Sequence, residues 1–261
     1  MEKTNRHDDH KNIDQNEVSF FDNYYEEEHY NPVGWRLRLE REIRIITKIA
    51  KSNNKKFGRV LSLGCGDGQF EIMLAPLADE IIGIDLSPEA IKIAEKSAEA
   101  AGIKNVRFEC ASVNDMQWKE KFDTILALAF FHHIPKADLS ELIKQLHNCL
   151  QTGGLLYSSD PNEKALLRKV GRALMGKKYD NFHSPDEHEM DPIQTSTTVR
   201  DVGFKHVSIT WTDFTLIPAL FILKNGPNWP LYLAKWLDDF LYYTPLRPLA
   251  SAFSLSAIKD E

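Results

Sequence analysis

The longest largely apolar run, Phe214–Leu223, has only ten residues and contains a threonine and a proline, whereas a bilayer-crossing helix needs roughly 20. Cysteine is also scarce. Cys65, Cys110 and Cys149 are the three in 261 residues, with neither disulfide nor metal-ligand spacing, which suits a reducing cytoplasm. Basic residues are in deficit, with 32 Lys and Arg against 38 Asp and Glu and a net charge of −6. That balance argues against a nucleic-acid partner, which needs a basic footprint. The polar opening from Met1 to Glu17 has no apolar core of a secretory leader. Hydrophobic content of 43% and charged content of 27% are those of a globular chain that can bury one large core.

The most informative segment runs Arg59-Val60-Leu61-Ser62-Leu63-Gly64-Cys65-Gly66-Asp67-Gly68. Its first half reads as a buried parallel strand. Its glycines then allow a tight turn in which a ligand can lie against bare main chain. Gln69–Leu74 opens a helix whose first N–H groups face the same spot. A second strand, Glu80–Ile84, ends in Asp85, 85 − 64 = 21 positions after the first glycine. An acid about 20 residues on accepts hydrogen bonds from ribose hydroxyls in doubly wound folds. A dinucleotide fingerprint would read Gly-x-Gly-x-x-Gly. Here the spacing is Gly-x-Gly-x-Gly, and position 69 is Gln, so a nicotinamide-dependent oxidoreductase is the runner-up.

This pattern resembles motif I of the class I S-adenosylmethionine (SAM)-dependent methyltransferases. Further matches follow in order: Asp85-Leu86-Ser87-Pro88 at the second strand, Phe122 to Ile134 with its Phe131-His132-His133-Ile134 ending at the fourth, and Leu150-Gln151-Thr152-Gly153-Gly154 before the fifth. The His-His pair is common in the small-molecule branch, and the Asn/Asp-Pro-Pro-aromatic signature of base-directed enzymes is missing. The resemblance implies SAM as cofactor, with Gly64, Cys65, Gly66 and Gly68 shaping its loop. It also implies Asp85 on the ribose, Leu86 and Val113 flanking adenine, Ser112, Ala127 and Leu128 nearby, and Tyr24, Tyr30 and Arg36 folding over the donor from the N-terminal side. His132, His133 and Asp160 are the implied base system, and a loop carrying His183, Asp186 and His188 offers weaker candidates. No metal is required. Two departures stand out, since Ser62 and Ser112 occupy positions where the family usually or often has an acid; Asp115 is close enough to cover for the second. These serines are the only support for a non-catalytic interaction protein built on the same fold.

The implied architecture is α/β, a Rossmann-like doubly wound sheet, mostly parallel with an antiparallel last strand near 252–259. Residues 1–17 are expected to be disordered, 18–56 to form an N-terminal helical lid, and 57–261 to form the methyltransferase domain with insertions at about 161–193 and 212–250. In the first insertion, Lys164–Lys178 reads as a basic amphipathic helix without an acid, suited to an anionic surface or headgroup or to a solvated face. In the second, Leu233, Trp236, Leu237, Phe240 and Leu241 share a helical arc that should pack on something apolar. Together the insertions tilt the expected acceptor toward a small hydrophobic or lipid-linked compound, with peripheral membrane contact, over a soluble sugar or natural-product scaffold.

Overall fold

The computed structural model describes residues 12–22, 30–53, 56–114, 121–175, 184 and 186–260. Tyr24, Asp115 and His183 lie outside them. Residues 12–22 form helix α1, so positions 12–17 are helical where disorder was expected. Helix α2 (Pro32–Ser52) starts cleanly because Asn31 accepts from the N–H groups of Val33 and Gly34 at 3.0 and 3.3 Å and Pro32 occupies the first turn. The same device recurs at α4 (Pro88–Ala100), capped by Ser87, and at α7 (Pro192–Val202), capped by Asp191.

The sheet holds β1 (Arg59–Leu63), β2 (Glu80–Asp85), β3 (Val106–Cys110), β4 (Phe122–Leu128), β5 (Leu150–Pro161), β6 (Lys205–Thr212) and β7 (Ala252–Ile258). Their order is β3-β2-β1-β4-β5-β7-β6. Every pair is parallel except those of β7, which slots antiparallel between β5 and β6. Buried Val60, Leu61 and Leu63 give β1 the continuous apolar character of a central strand covered on both faces. α5 (Leu139–Cys149) and α7 cover one face through Leu142, Ile143, Leu146 and Val199. α2 and α3 (Gln69–Leu74) cover the other through Leu39, Ile46, Phe70 and Leu74. Strand order reverses between β1 and β4, and such a switch point leaves a crevice beyond the strands' carboxyl ends.

The second insertion forms α8 (Leu216–Ile222) and α9 (Trp229–Leu241). Leu216, Leu220, Leu231 and Ala234 pack together against Tyr30, Val33 and Trp35, and burying each leucine contributes about 1.5–3 kcal/mol. The expected apolar arc of α9 is turned outward instead: Trp236 is 63% exposed, and Leu233 and Phe240 are exposed with it. The buried stripe is Leu231, Ala234 and Asp238. Asp238 accepts from Thr215 N and Oγ1 at 2.6 and 2.7 Å and from Arg41 Nη1 at 3.1 Å, so the polar anchor decides which face goes in. No helix among the described residues is long and apolar enough to cross a membrane.

Helix α6 (Leu166–Met175) forms where the basic helix was expected. Two cations of that stretch meet acids from the following segment: Lys164, just ahead of the helix, pairs with Asp191 at 2.8 Å, and Arg168, within it, with Glu189 at 3.1 Å.

Candidate active site

The crevice at the switch point is one cavity of about 670 Å³, inside the roughly 300–1,000 Å³ usual for small-ligand sites. Its floor on one side is the glycine loop. Gly64 has φ +63°, and a Cβ there would stand 2.7 Å from the Phe130 ring; Gly68 has φ +73°, and a Cβ would stand 2.6 Å from Phe108. Gly64, Cys65 and Gly66 line the cavity, whereas Gly68 lets α3 pack against β3.

Asp85 clamps this loop to β2. Its Oδ2 accepts from Gly66 N at 2.8 Å and its Oδ1 from Ser87 N at 2.9 Å. Desolvation raises its pKa, opposed by those two N–H donors. A carboxylate has about four lone-pair sites, so Asp85, on the cavity wall, keeps capacity to receive further hydroxyls. Leu86, Ser112, Val113 and Leu128 line the same end. Ala127 does not: it is fully buried in β4, paired with Leu63 and Ser158.

The opposite end is assembled from distant segments. Past β4, Ala129 takes φ +51°, an uncommon left-handed conformation for a residue with a Cβ, and donates its N–H to Ser159 O at 2.6 Å. A single 3-10 turn, Phe131–His133, then presents both histidines. His132 Nδ1 lies 3.1 Å from Asp160 Oδ1, which also accepts from His132 N at 3.2 Å. Burial pushes Asp160 up to about 7. His133 Nδ1 lies 3.0 Å from Glu17 Oε2; burial works to lower its pKa, but the Glu17 hydrogen bond and charge prevail and raise it. His132, His133 and Glu187 bring ligand atoms within 4.8 Å of one another, a set that the reading without a metal did not foresee and that the 54-residue gap in sequence concealed (187 − 133).

α1 lies across the cavity as a lid. Ser87 Oγ donates to Asp22 at 2.5 Å, Ser112 Oγ to Asp14 at 2.8 Å and Ser184 Oγ to Glu17 at 2.6 Å. These acids went unremarked in the sequence. Of the expected N-terminal contacts, Tyr30 lines the cavity and stacks on Trp35 at 4.6 Å. Arg36 points away, its side chain 75% exposed and paired with Glu40. Arg38 lines the cavity instead, 3.1 Å from Asp213 and over the Trp35 ring. The apolar wall comes from Phe20, Phe21, Phe130 and, in α8, Ile217 and Phe221; α9 contributes nothing to it. Among the weaker loop candidates, Asp186 accepts from Asn16 and His188 N donates to His132 O.

Residues 54–197 match a family described as a methyltransferase domain. A ubiquinone biosynthesis O-methyltransferase of Nitrobacter winogradskyi is 29% identical over 170 residues, covering 60% of this chain and 63% of that protein, so the match spans less than two thirds of the relative's own length. Among solved structures, a Thermotoga maritima SAM-dependent methyltransferase, described as a possible histamine N-methyltransferase, superposes with a TM-score of 0.61 at 15% identity over 93% of this chain and 99% of that one. An N-methyltransferase from Bradyrhizobium japonicum in complex with S-adenosyl-L-homocysteine gives 0.57 at 15% identity over 88% and 89%. At that identity these structures speak to the fold, which is that of the class I methyltransferases.

Proposed function

The chain belongs to the methyltransferase-domain family, and from that premise we propose that it transfers a methyl group from SAM to a small hydrophobic acceptor, with His132 as general base. The observation that carries this reading is the single cavity joining the glycine loop and Asp85 to the His132–Asp160 pair and to the apolar wall of α8. When bound, SAM supplies a methyl group already activated by sulfonium charge. The protein's contribution is then alignment and exclusion of water.

The residues fit such a donor. Asp85 would receive the ribose hydroxyls, Leu86 and Val113 would flank the adenine, and Arg38, with its always-charged fork, would meet the carboxylate. Asp160 on Nδ1 fixes the His132 tautomer and makes Nε2 the basic nitrogen, the one that would take a proton from a hydroxyl acceptor. The relative from ubiquinone biosynthesis is an O-methyltransferase, which supports an oxygen acceptor, and the apolar wall supports a hydrophobic one. Contact with a membrane surface through α6, where Lys169 and Arg172 are exposed, would bring such an acceptor within reach.

Calorimetry with SAM, S-adenosylhomocysteine and NAD(P)H, followed by transfer of labelled methyl from SAM into a cell extract, tests the reading. Binding of the sulfonium donor and Asp85-dependent label in an organic-soluble product is expected. Nicotinamide binding without SAM binding would overturn it, and SAM binding without any transfer would favour the non-catalytic interaction protein.

A further inference from the structure

We propose that Glu71 holds the ammonium group of the methyl donor, supplying from α3 the charge that Ser62 lacks. This rests on the donor reading above and deepens it. Glu71 is 2% exposed and lies on the cavity wall beside Gly64 and Gln69. Its Oε1 accepts from Ser62 Oγ at 2.6 Å. Its Oε2 is fully buried and has no hydrogen-bond partner among the described residues. A buried carboxylate oxygen without a partner carries a desolvation penalty, and a donor-rich cation entering the cavity would remove it.

The surroundings point the same way. The charged groups acting on Glu71 are the carboxylates of Asp67, in the loop, and Asp85, at the end of β2. Cys65, also in the loop, is held as a neutral thiol by burial and then by Glu71 itself. Glu42 of α2 lines the same cavity but already accepts from Tyr157, Ser159 and Ser254, and Arg38 from the same helix bonds Asp213. Among the described residues Glu71 thus has a whole carboxylate oxygen still to offer, in a field that favours a cation. Desolvation, opposed by Ser62 and reinforced by Asp67 and Asp85, lifts its pKa to about 7, so near neutrality it is partly protonated until a cation arrives.

The test uses the full chain and three probes: S-adenosylhomocysteine, its analogue without the α-amino group, and methylthioadenosine. Wild type is expected to prefer S-adenosylhomocysteine over the deaminated analogue by roughly ten- to hundredfold, the weight of a charge-assisted hydrogen bond. Titration at pH 7 in two buffers of different ionisation enthalpy should show about half a proton released with S-adenosylhomocysteine and none with the deaminated analogue, as follows for a group half-protonated at pH 7. Glu71→Gln should erase both the preference and the release while leaving methylthioadenosine affinity unchanged. An equal loss for all three probes would make Glu71 a support of the loop, and an unchanged preference would dismiss it; either overturns the proposal. Should the variant not fold, the wild-type measurements decide alone, since no preference and no proton release refute the role. Failure of wild type to bind S-adenosylhomocysteine or methylthioadenosine would refute the donor reading itself.

Discussion

The two ends of the cavity are built differently. The frame of the donor end comes from one continuous βαβ stretch, Val60 to Ser87, in which glycine φ angles, the Asp85 clamp and the Ser87 cap all act within 28 residues of chain (87 − 60 + 1), with Arg38, Val113 and Leu128 added around it. The acceptor end joins Glu17, His132, Asp160, Glu187 and Phe221, which meet only after the sheet, the lid and the second insertion have assembled. Local chemistry fixes the first. Tertiary packing fixes the second, so it is where specificity can change without disturbing the fold.

Separating the two ends by mutation should give unlike phenotypes. His132→Ala should have the largest effect, lowering kcat by about 10²–10⁴ as for loss of a general base, with S-adenosylhomocysteine affinity within about twofold of wild type by calorimetry. Asp85→Ala should do the converse, weakening donor affinity by roughly a hundredfold, as loss of charge-assisted ribose contacts implies, and freeing the loop through the lost Gly66 bond; unchanged affinity would mean that the clamp and not the donor uses this carboxylate. Rate should also report Asp160. Its pKa is raised to about 7, so the anion that orients His132 is present above that pH and lost as pH falls through it, and kcat should decline about tenfold per unit on the acid side. Asp160→Asn should remove that limb. Replacing Lys169 and Arg172 by Gln should weaken binding to anionic liposomes by about 2 kcal/mol, near 1 kcal/mol for each charge, fading with salt. Equal flotation of wild type and variant would leave α6 a solvated face. Glu17→Gln should have the smallest effect, raising the acceptor KM roughly fivefold through loss of about 1 kcal/mol of lid contact to His133 and Ser184.

The same contrast explains what could be read in advance. The strands at 59–63 and 80–85 coincide with β1 and β2, because apolar runs ended by glycine or an acid leave few alternatives, and the antiparallel β7 falls near 252–259 as expected. Arg36 against Arg38 shows the limit. Two positions on a helix differ by about 200°, so choosing the wrong neighbour reverses the direction, and only the docking of α2 tells them apart. In β4 alternate side chains face opposite sides of the sheet, which separates buried Ala127 from Leu128 at the cavity. In α9 the aromatic arc looked like the buried one, but the Asp238 anchor to Arg41 and Thr215 outweighs it. Glu71 could not be ranked above any other acid without its bond to Ser62, and the α1 acids had no periodic signal at all.

The position of β7 also sets a clock on biogenesis. Among the described residues β6 has no neighbour in the sheet except β7, and β5 has β7 on its outer side, with Leu155 paired to Ile258 across 103 positions (258 − 155). Until residues 252–258 leave the ribosome, β6 has no ladder partner and β5 presents an open edge, the kind that templates pairing with other chains. Ser254, whose Oγ donates to Glu42 alongside Tyr157 and Ser159, arrives in the same step. Ordering of the sheet's outer half and locking of α2 onto it therefore coincide with the arrival of residues 252–258, a long-range closure of the slow kind.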